Sequence, residues 1–356
     1  MLCNRGRIHE MRSTFETPMK RKRTKILFLF GSLATLLGCQ SEPWDIIPDT
    51  GANLSVVHFA DSVLPLDSAA LLPALERMQT SYPELFIPSV EGGDWREDLL
   101  PYLLDPEVRS LYADVLVVRE EMTKESTSNA FDDALQLGFG RYTAHFGDQA
   151  YPWKRLYTYV SRNEEPYILL GPQVIFLPLD RYLGPEHPAY AQESAYLAQR
   201  HQPENTLVEV FKAIASVHNA EGVASDYSLL ASMLFAAKEV LFVQSTLGEE
   251  AALRCMGYRP QDEAFLEEHE RALWGLFITQ RWLYDDAVDL KRKLVMPAPF
   301  SKLGTPMDRD VPGQIGVWFG WRILQSYWQE HPDMTLPQLM SGASAQTLLQ
   351  DSGYRP

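Results

Sequence analysis

Residues 298–328 read APFSKLGTPMDRDVPGQIGVWFGWRILQSYW. This stretch holds Trp318, Trp321 and Trp328 together with Phe319 and Tyr327, and two glycines four apart, Gly316 and Gly320. Four residues is close to one helical turn, so on a helix the two glycines share a face. Each costs a helix about 1 kcal/mol, which is offset only where a neighbour comes close enough to need the missing Cβ. Asp310 is a suitable N-cap with Pro312 in the first turn, and a helix begun there runs to about Gln329. One reading is therefore a core helix pressed against another element through its glycines. The other is a groove formed by Asp310, Pro312, Gly313, Gly316, Trp318, Gly320 and Trp321 that receives a partner or ligand.

Outward from this block the chain stays mainly helical. Two short helices close it. Upstream, Leu207, Val210, Phe211, Ile214 and Val217 are spaced for one amphipathic face, Tyr227–Leu247 forms a more apolar helix, and Glu263–Trp282 a third. The middle differs. Leu156–Val160 and Gln173–Leu179 are β-like, with the breakers Asn163, Pro166, Gly171 and Pro172 between them, and read as a small β element of the hairpin kind. From Asp67 to about Gly138 helical spacing returns, in Leu71, Leu72, Leu75 and Met78 and again in Val108, Leu111, Tyr112 and Val115. Asp94 and Asp105-Pro106 are plausible helix starts, and Leu54–Phe59 is the first strand. Without repeats or long linkers, residues 53–356 read as one predominantly helical α+β domain.

The N-terminus has the three parts of an export signal. Lys20, Arg21, Lys22, Arg23 and Lys25 precede an apolar run from Ile26 to Leu37, too short to cross a bilayer of about 30 Å as a helix. The run ends Leu36-Leu37-Gly38-Cys39, which resembles the lipobox of bacterial lipoproteins; that resemblance implies cleavage after residue 38 and acylation of Cys39. Residues 1–18 contain Glu10 and Glu16 and fit such a signal poorly, so translation from Met19 is expected. Residues 39–52, rich in Asp and Pro, then form a short lipidated tether.

Charge narrows the classes of partner. The whole chain is at −15; the first 38 residues hold 8 of its 32 Lys and Arg and 2 of its 47 Asp and Glu, which leaves the remainder near −21. Such acidity argues against nucleic acid and against adhesion to anionic lipid. Cys3 leaves with the signal and Cys39 is consumed by lipid, so Cys255 has no disulfide partner and reads as a small buried apolar group.

The sequence carries no G-x-S-x-G elbow, Walker loop or G-x-G-x-x-G turn. The nearest approach to the zinc motif H-E-x-x-H is His269-Glu270-Arg271-Ala272-Leu273, where leucine stands at the second ligand position; this reads as a solvated helix face. His218 has Glu221 three residues on but no third ligand.

Several short motifs, in order along the chain, resemble the GldB gliding-motility lipoproteins of the Bacteroidetes. They are Leu179-Asp180-Arg181-Tyr182-Leu183-Gly184 with Pro188 and Tyr190, APFSKLG at 298–304, Asp310-Val311-Pro312-Gly313-Gln314-Ile315-Gly316 with the helix after it, and the ending Ser352-Gly353-Tyr354-Arg355-Pro356. The resemblance implies an envelope lipoprotein that serves surface movement and type IX secretion alongside other envelope proteins. It also implies a likeness to zinc peptidases, whose metal-binding helix would correspond to Leu207–Val217 and whose later glutamate helix to Ser232–Val243. The first reads Val208-Glu209-Val210-Phe211-Lys212, without either histidine; the second offers Glu239. On this likeness the chain is a zincin-like scaffold without metal, cofactor or catalytic residues, attached to the membrane through Cys39. Gln40 lacks the aspartate that retains enterobacterial lipoproteins in the inner membrane, which points to the outer membrane and its periplasmic leaflet. The competing readings are a metallopeptidase-like hydrolase and a lipoprotein that captures sugar or peptide on Trp318 and Trp321.

Overall fold

The computed structural model describes residues 42–48, 54–125, 130–162, 168–219 and 226–356. The export signal, Cys39 and Glu221 lie outside the described residues. The fold is α+β and predominantly helical, with 14 α-helices and one four-stranded sheet among the described residues.

The first half begins with β1 (Ser55–Val57), α1 (Phe59–Val63), α2 (Ser68–Gln79), α3 (Trp95–Leu104), α4 (Pro106–Glu125) and α5 (Ala130–Phe146). Aspartates start these helices as their positions predict. Asp67 accepts from the Ala69 and Ala70 amides at 3.0 and 2.8 Å, Asp94 from Arg96 at 3.0 Å, and Asp105 from Glu107 at 2.8 Å. The first strand is shorter than Leu54–Phe59, because Phe59 turns inward as the opening residue of α1, only 4% exposed.

The sheet adds β2 (Arg155–Tyr159), β3 (Leu169–Leu170) and β4 (Val174–Pro178), in the order β1-β2-β4-β3. β2 and β4 do not form the expected hairpin. They run parallel, with Leu156 opposite Ile175, and the hairpin partner of β4 is the short β3. Parallel strands are covered on both faces, and β2 and β4 are buried on both. Here Leu156, Ile175 and Leu177 face one core while Tyr157, Val174 and Phe176 face another. Helices α1 to α4 cover the second face; the rest of the chain covers the first.

The second half comprises α6 (Ala195–Ala198), α7 (Thr206–Asn219), α8 (Leu229–Leu247), α9 (Glu249–Cys255), α10 (Pro260–Thr279), α11 (Val288–Leu294), α12 (Ile315–Glu330), α13 (Leu336–Ser341) and α14 (Ala345–Asp351). Helix α8 is apolar on all sides and sits at the centre, with α5, α7, α9 and α12 packed around it. It is long and apolar enough to cross a bilayer, yet most of it is buried against these neighbours. Helix α10 starts earlier than Glu263, at Pro260, through a reciprocal cap between Arg259 and Asp262, and stops before Trp282. Ahead of β1, Trp44 is 8% exposed, its ring 6.2 Å from that of Trp328.

Candidate functional site

The seam between α8 and α12 is built on the two glycines. A Cβ on Gly320 would stand 2.6 Å from the Met233 carbonyl oxygen and 2.9 Å from the Ala237 Cβ; one on Gly316 would stand 2.8 Å from the Leu294 carbonyl oxygen. No side chain fits at either place, so α12 approaches the backbone of α8 at Gly320 and that of the last residue of α11 at Gly316. The groove reading is corrected by the same packing. Trp318 is 1% and Trp321 0% exposed, so neither presents a face to solvent. Trp321 instead donates its indole N–H to Gln244 Oε1 at 2.8 Å.

The turn ahead of α12 departs from the expected start. Asp310 is exposed and lies five residues before the helix, and Pro312 pairs with Phe300 in an isolated bridge instead of sitting in the first turn. The cap comes from another segment. Ser301, fully buried, accepts from the Ile315 amide at 3.2 Å and donates to the Pro312 carbonyl at 2.7 Å. Gln314 takes a left-handed conformation, φ 61°, and its side-chain amide donates to the Met256 carbonyl at 2.8 Å. A Cβ on Gly313 would lie 1.8 Å from the Ala298 carbonyl oxygen, and the Tyr258 hydroxyl donates to the Gly313 carbonyl at 2.8 Å. Pro312, Gly313, Gly316, Trp318, Gly320 and Trp321 therefore belong to one packed assembly with Ser301 and Tyr258, and Asp310 does not.

Past the seam, α8 and α12 become polar and a cavity of about 400 Å³ opens. Gln244 and Gln325 form its floor, joined by a 3.1 Å bond from Gln325 Nε2 to Gln244 Oε1. Arg322 enters from α12, donating to Gln325 Oε1 at 3.3 Å and pairing with Glu270 at 3.2 Å. Tyr354 closes one side and donates to Glu270 at 2.7 Å. Glu42, Trp44 and Asp45 close the other, with Gln329 donating to Glu42 at 2.9 Å. Three carboxylates, Glu42, Asp45 and Glu249, line the cavity against the one guanidinium of Arg322. The C-terminal motif is part of this wall: the buried Ser352 accepts at its carbonyl from Ser326 Oγ at 2.7 Å.

The family model for the gliding motility protein GldB matches residues 44–356. The chain belongs to this family. No curated protein and no solved structure compared with it matches. The match opens at Trp44, the residue that seats the N-terminal segment, and runs through the seam, the turn and the C-terminal wall of the cavity. GldB membership makes the chain a gliding motility-associated protein.

Two further polar clusters complete this GldB chain. On α7 to α9, Lys212 lies among Cys255, Glu209 and Glu239, which together hold its ammonium above the usual lysine range. Burial raises Glu239 while Lys212 opposes the rise, and burial pushes the Cys255 thiol up to about 12. A thiol kept protonated at neutral pH is a poor nucleophile. Among the described residues, no group of three or more His, Cys, Asp or Glu is disposed to hold a metal ion. His218 sits in an aromatic nest, 4.2 Å from the Phe146 ring and 2.9 Å from the Tyr142 hydroxyl, and burial lowers its pKa to about 4. His269 stacks on Phe265 along its own helix.

The Leu179–Gly184 motif folds into the second cluster. The fully buried Asp180 accepts from the Ser161 amide at 2.6 Å, and its carbonyl accepts from the Tyr190 hydroxyl at 2.6 Å. His201 lies flat on Tyr190 at 3.8 Å and bonds the Arg181 carbonyl at 2.7 Å. These residues tie the exit of β4 to the segment leading into α7. Ser301, Tyr258 and Gln244 carry no local signal in the sequence, because each acts on a partner remote along the chain.

Proposed function

We propose that the protein is an exported lipoprotein of the cell envelope, acylated on Cys39, and a non-catalytic component or assembly factor of the gliding and type IX secretion apparatus. The observation that carries this reading is a GldB match that begins at Trp44, five residues after a cysteine that ends a basic-then-apolar signal. Residues 1–38 are then removed, and anchoring is to the outer membrane with the body in the periplasm.

The non-catalytic part rests on α7 and α8. Val208 and Lys212 occupy the positions where a zinc peptidase has histidines, and neither binds zinc with a charged ammonium in place. We regard this pair of helices as a peptidase scaffold in which a lysine stands where a metal's charge would be. Deleting the gene in its host is expected to reduce colony spreading and secretion of type IX cargo. Complementation by the wild type but not by Cys39→Ser, with loss of palmitate labelling in the mutant, is the expected pattern. Normal spreading and secretion in the deletion strain overturn the assignment.

A further inference from the structure

We propose that residues 42–48 are a clamp that fixes how the body sits on the bilayer, holding the face with Glu42, Ile47 and the end of α12 against ethanolamine headgroups. The inference rests on acylation of Cys39.

Reach is the first argument. Two residues, Gln40 and Ser41, separate Cys39 from Glu42, and a fully extended chain spans at most about 11 Å over those three steps. Residues 42–48 turn on themselves and are attached to the body at Glu42 and Trp44. The Asp45 amide bonds the Glu42 carbonyl at 2.9 Å, Gln329 donates to the Glu42 carboxylate at 2.9 Å, and Trp44 is 8% exposed against Trp328 and close to His145, whose ring is 5.9 Å from that of Trp328. A disordered leash of about 14 residues would let the body tumble freely. A leash this short, ending on a buried tryptophan, selects one face.

The chemistry of that face is the second argument. Ile47 is 91% exposed, an apolar side chain suited to the headgroup boundary. The cavity lined by Trp44, three residues earlier, carries Glu42, Asp45 and Glu249 against Arg322. Carboxylates in excess repel anionic lipid and suit the ammonium of a zwitterionic ethanolamine headgroup.

The opposite pole is defined by α8. Gln244 lines the cavity, and Leu229 lies at the other end of the same helix, about 22 Å away at 1.5 Å per residue. The Leu229 amide bonds the Asp285 carbonyl at 2.7 Å, which puts Tyr284, 63% exposed, at this far end.

The test uses the full lipidated chain, with Cys255→Ser, in vesicles of phosphatidylethanolamine and phosphatidylcholine that carry a headgroup quencher. A fluorophore is attached through Glu330→Cys or through Tyr284→Cys. We expect quenching at position 330 to exceed that at 284 by at least about 5-fold, and a ten-residue Gly-Ser insertion between Gln40 and Ser41 to bring the ratio below about 2. The insertion leaves the body's own contacts untouched. Replacing the ethanolamine lipid by phosphatidylglycerol is expected to lower quenching at 330. Equal quenching at the two positions in the acylated wild type overturns the clamp, as does a contrast that survives the insertion. Failure to bind vesicles, with mass spectrometry finding Cys39 unmodified, instead overturns the lipoprotein reading.

Discussion

Helix α12 has two halves that are held in opposite ways. From Ile315 to Trp321 it is dry, and shape decides the contact: two missing side chains let backbone meet backbone. From Arg322 to Gln329 one side of the same helix, with Arg322, Gln325, Ser326 and Gln329, lines a cavity that Gln244 of α8 also lines, while Ile323, Leu324 and Trp328 stay buried. Dry packing tolerates no added atom, whereas a hydrated polar contact can exchange one partner for water. The first half is thus held by shape and the cavity side of the second by polar bonds that water could replace.

Gly313→Ala is the most damaging single change we expect, because its Cβ would overlap the Ala298 backbone at 1.8 Å and a carbonyl cannot rotate away. A loss above about 3 kcal/mol in urea unfolding is expected, by overpacking against backbone. Gly320→Ala tests the dry half directly, with an expected loss of about 2–3 kcal/mol; a neutral result would mean that the seam opens without cost. Acid titration probes two half-buried histidines. His145 and His218 have folded pKa values of about 4, below the unfolded value near 6.5, so the unfolded chain binds more protons between those limits. Stability is full above pH 6.5 and falls as pH drops toward 4, by about 1–3 kcal/mol for each histidine. His218→Phe should flatten part of that slope.

Lys212→Met leaves the carboxylates of Glu209 and Glu239 without the ammonium that offsets them, at an expected cost of about 1–2 kcal/mol at pH 7 that shrinks once acid protonates a carboxylate. At the small end is the wet half: Glu42→Gln should cost under about 0.5 kcal/mol, since the bond from Gln329 is exposed. A large loss there would erase the distinction between the two halves.

The legible parts of the molecule are those where cause and effect lie close in sequence. Gly316 and Gly320 announce a close approach because their spacing is the helical repeat itself. Asp94 and Asp105 read as helix starts because a cap acts on amides two residues away. Asp310 misleads for the same reason: it obeys the local rule, but Ser301, 14 residues before Ile315, supplies the bond. The parallel pairing of β2 with β4 is hard to see because apolar runs specify burial and not direction. The cavity is hidden because Gln244 and Gln325 are 81 residues apart, and each alone looks like an ordinary surface amide.

Trp44 finds its seat on Trp328, and Glu42 its bond to Gln329, 287 residues away. A chain is made from its amino end, so the earliest of these residues have to wait while almost everything else is synthesised. Any copy that stops before α12 lacks the Trp328 ring against which Trp44 packs, so the burial of that one indole reports that the chain has been made at least through α12.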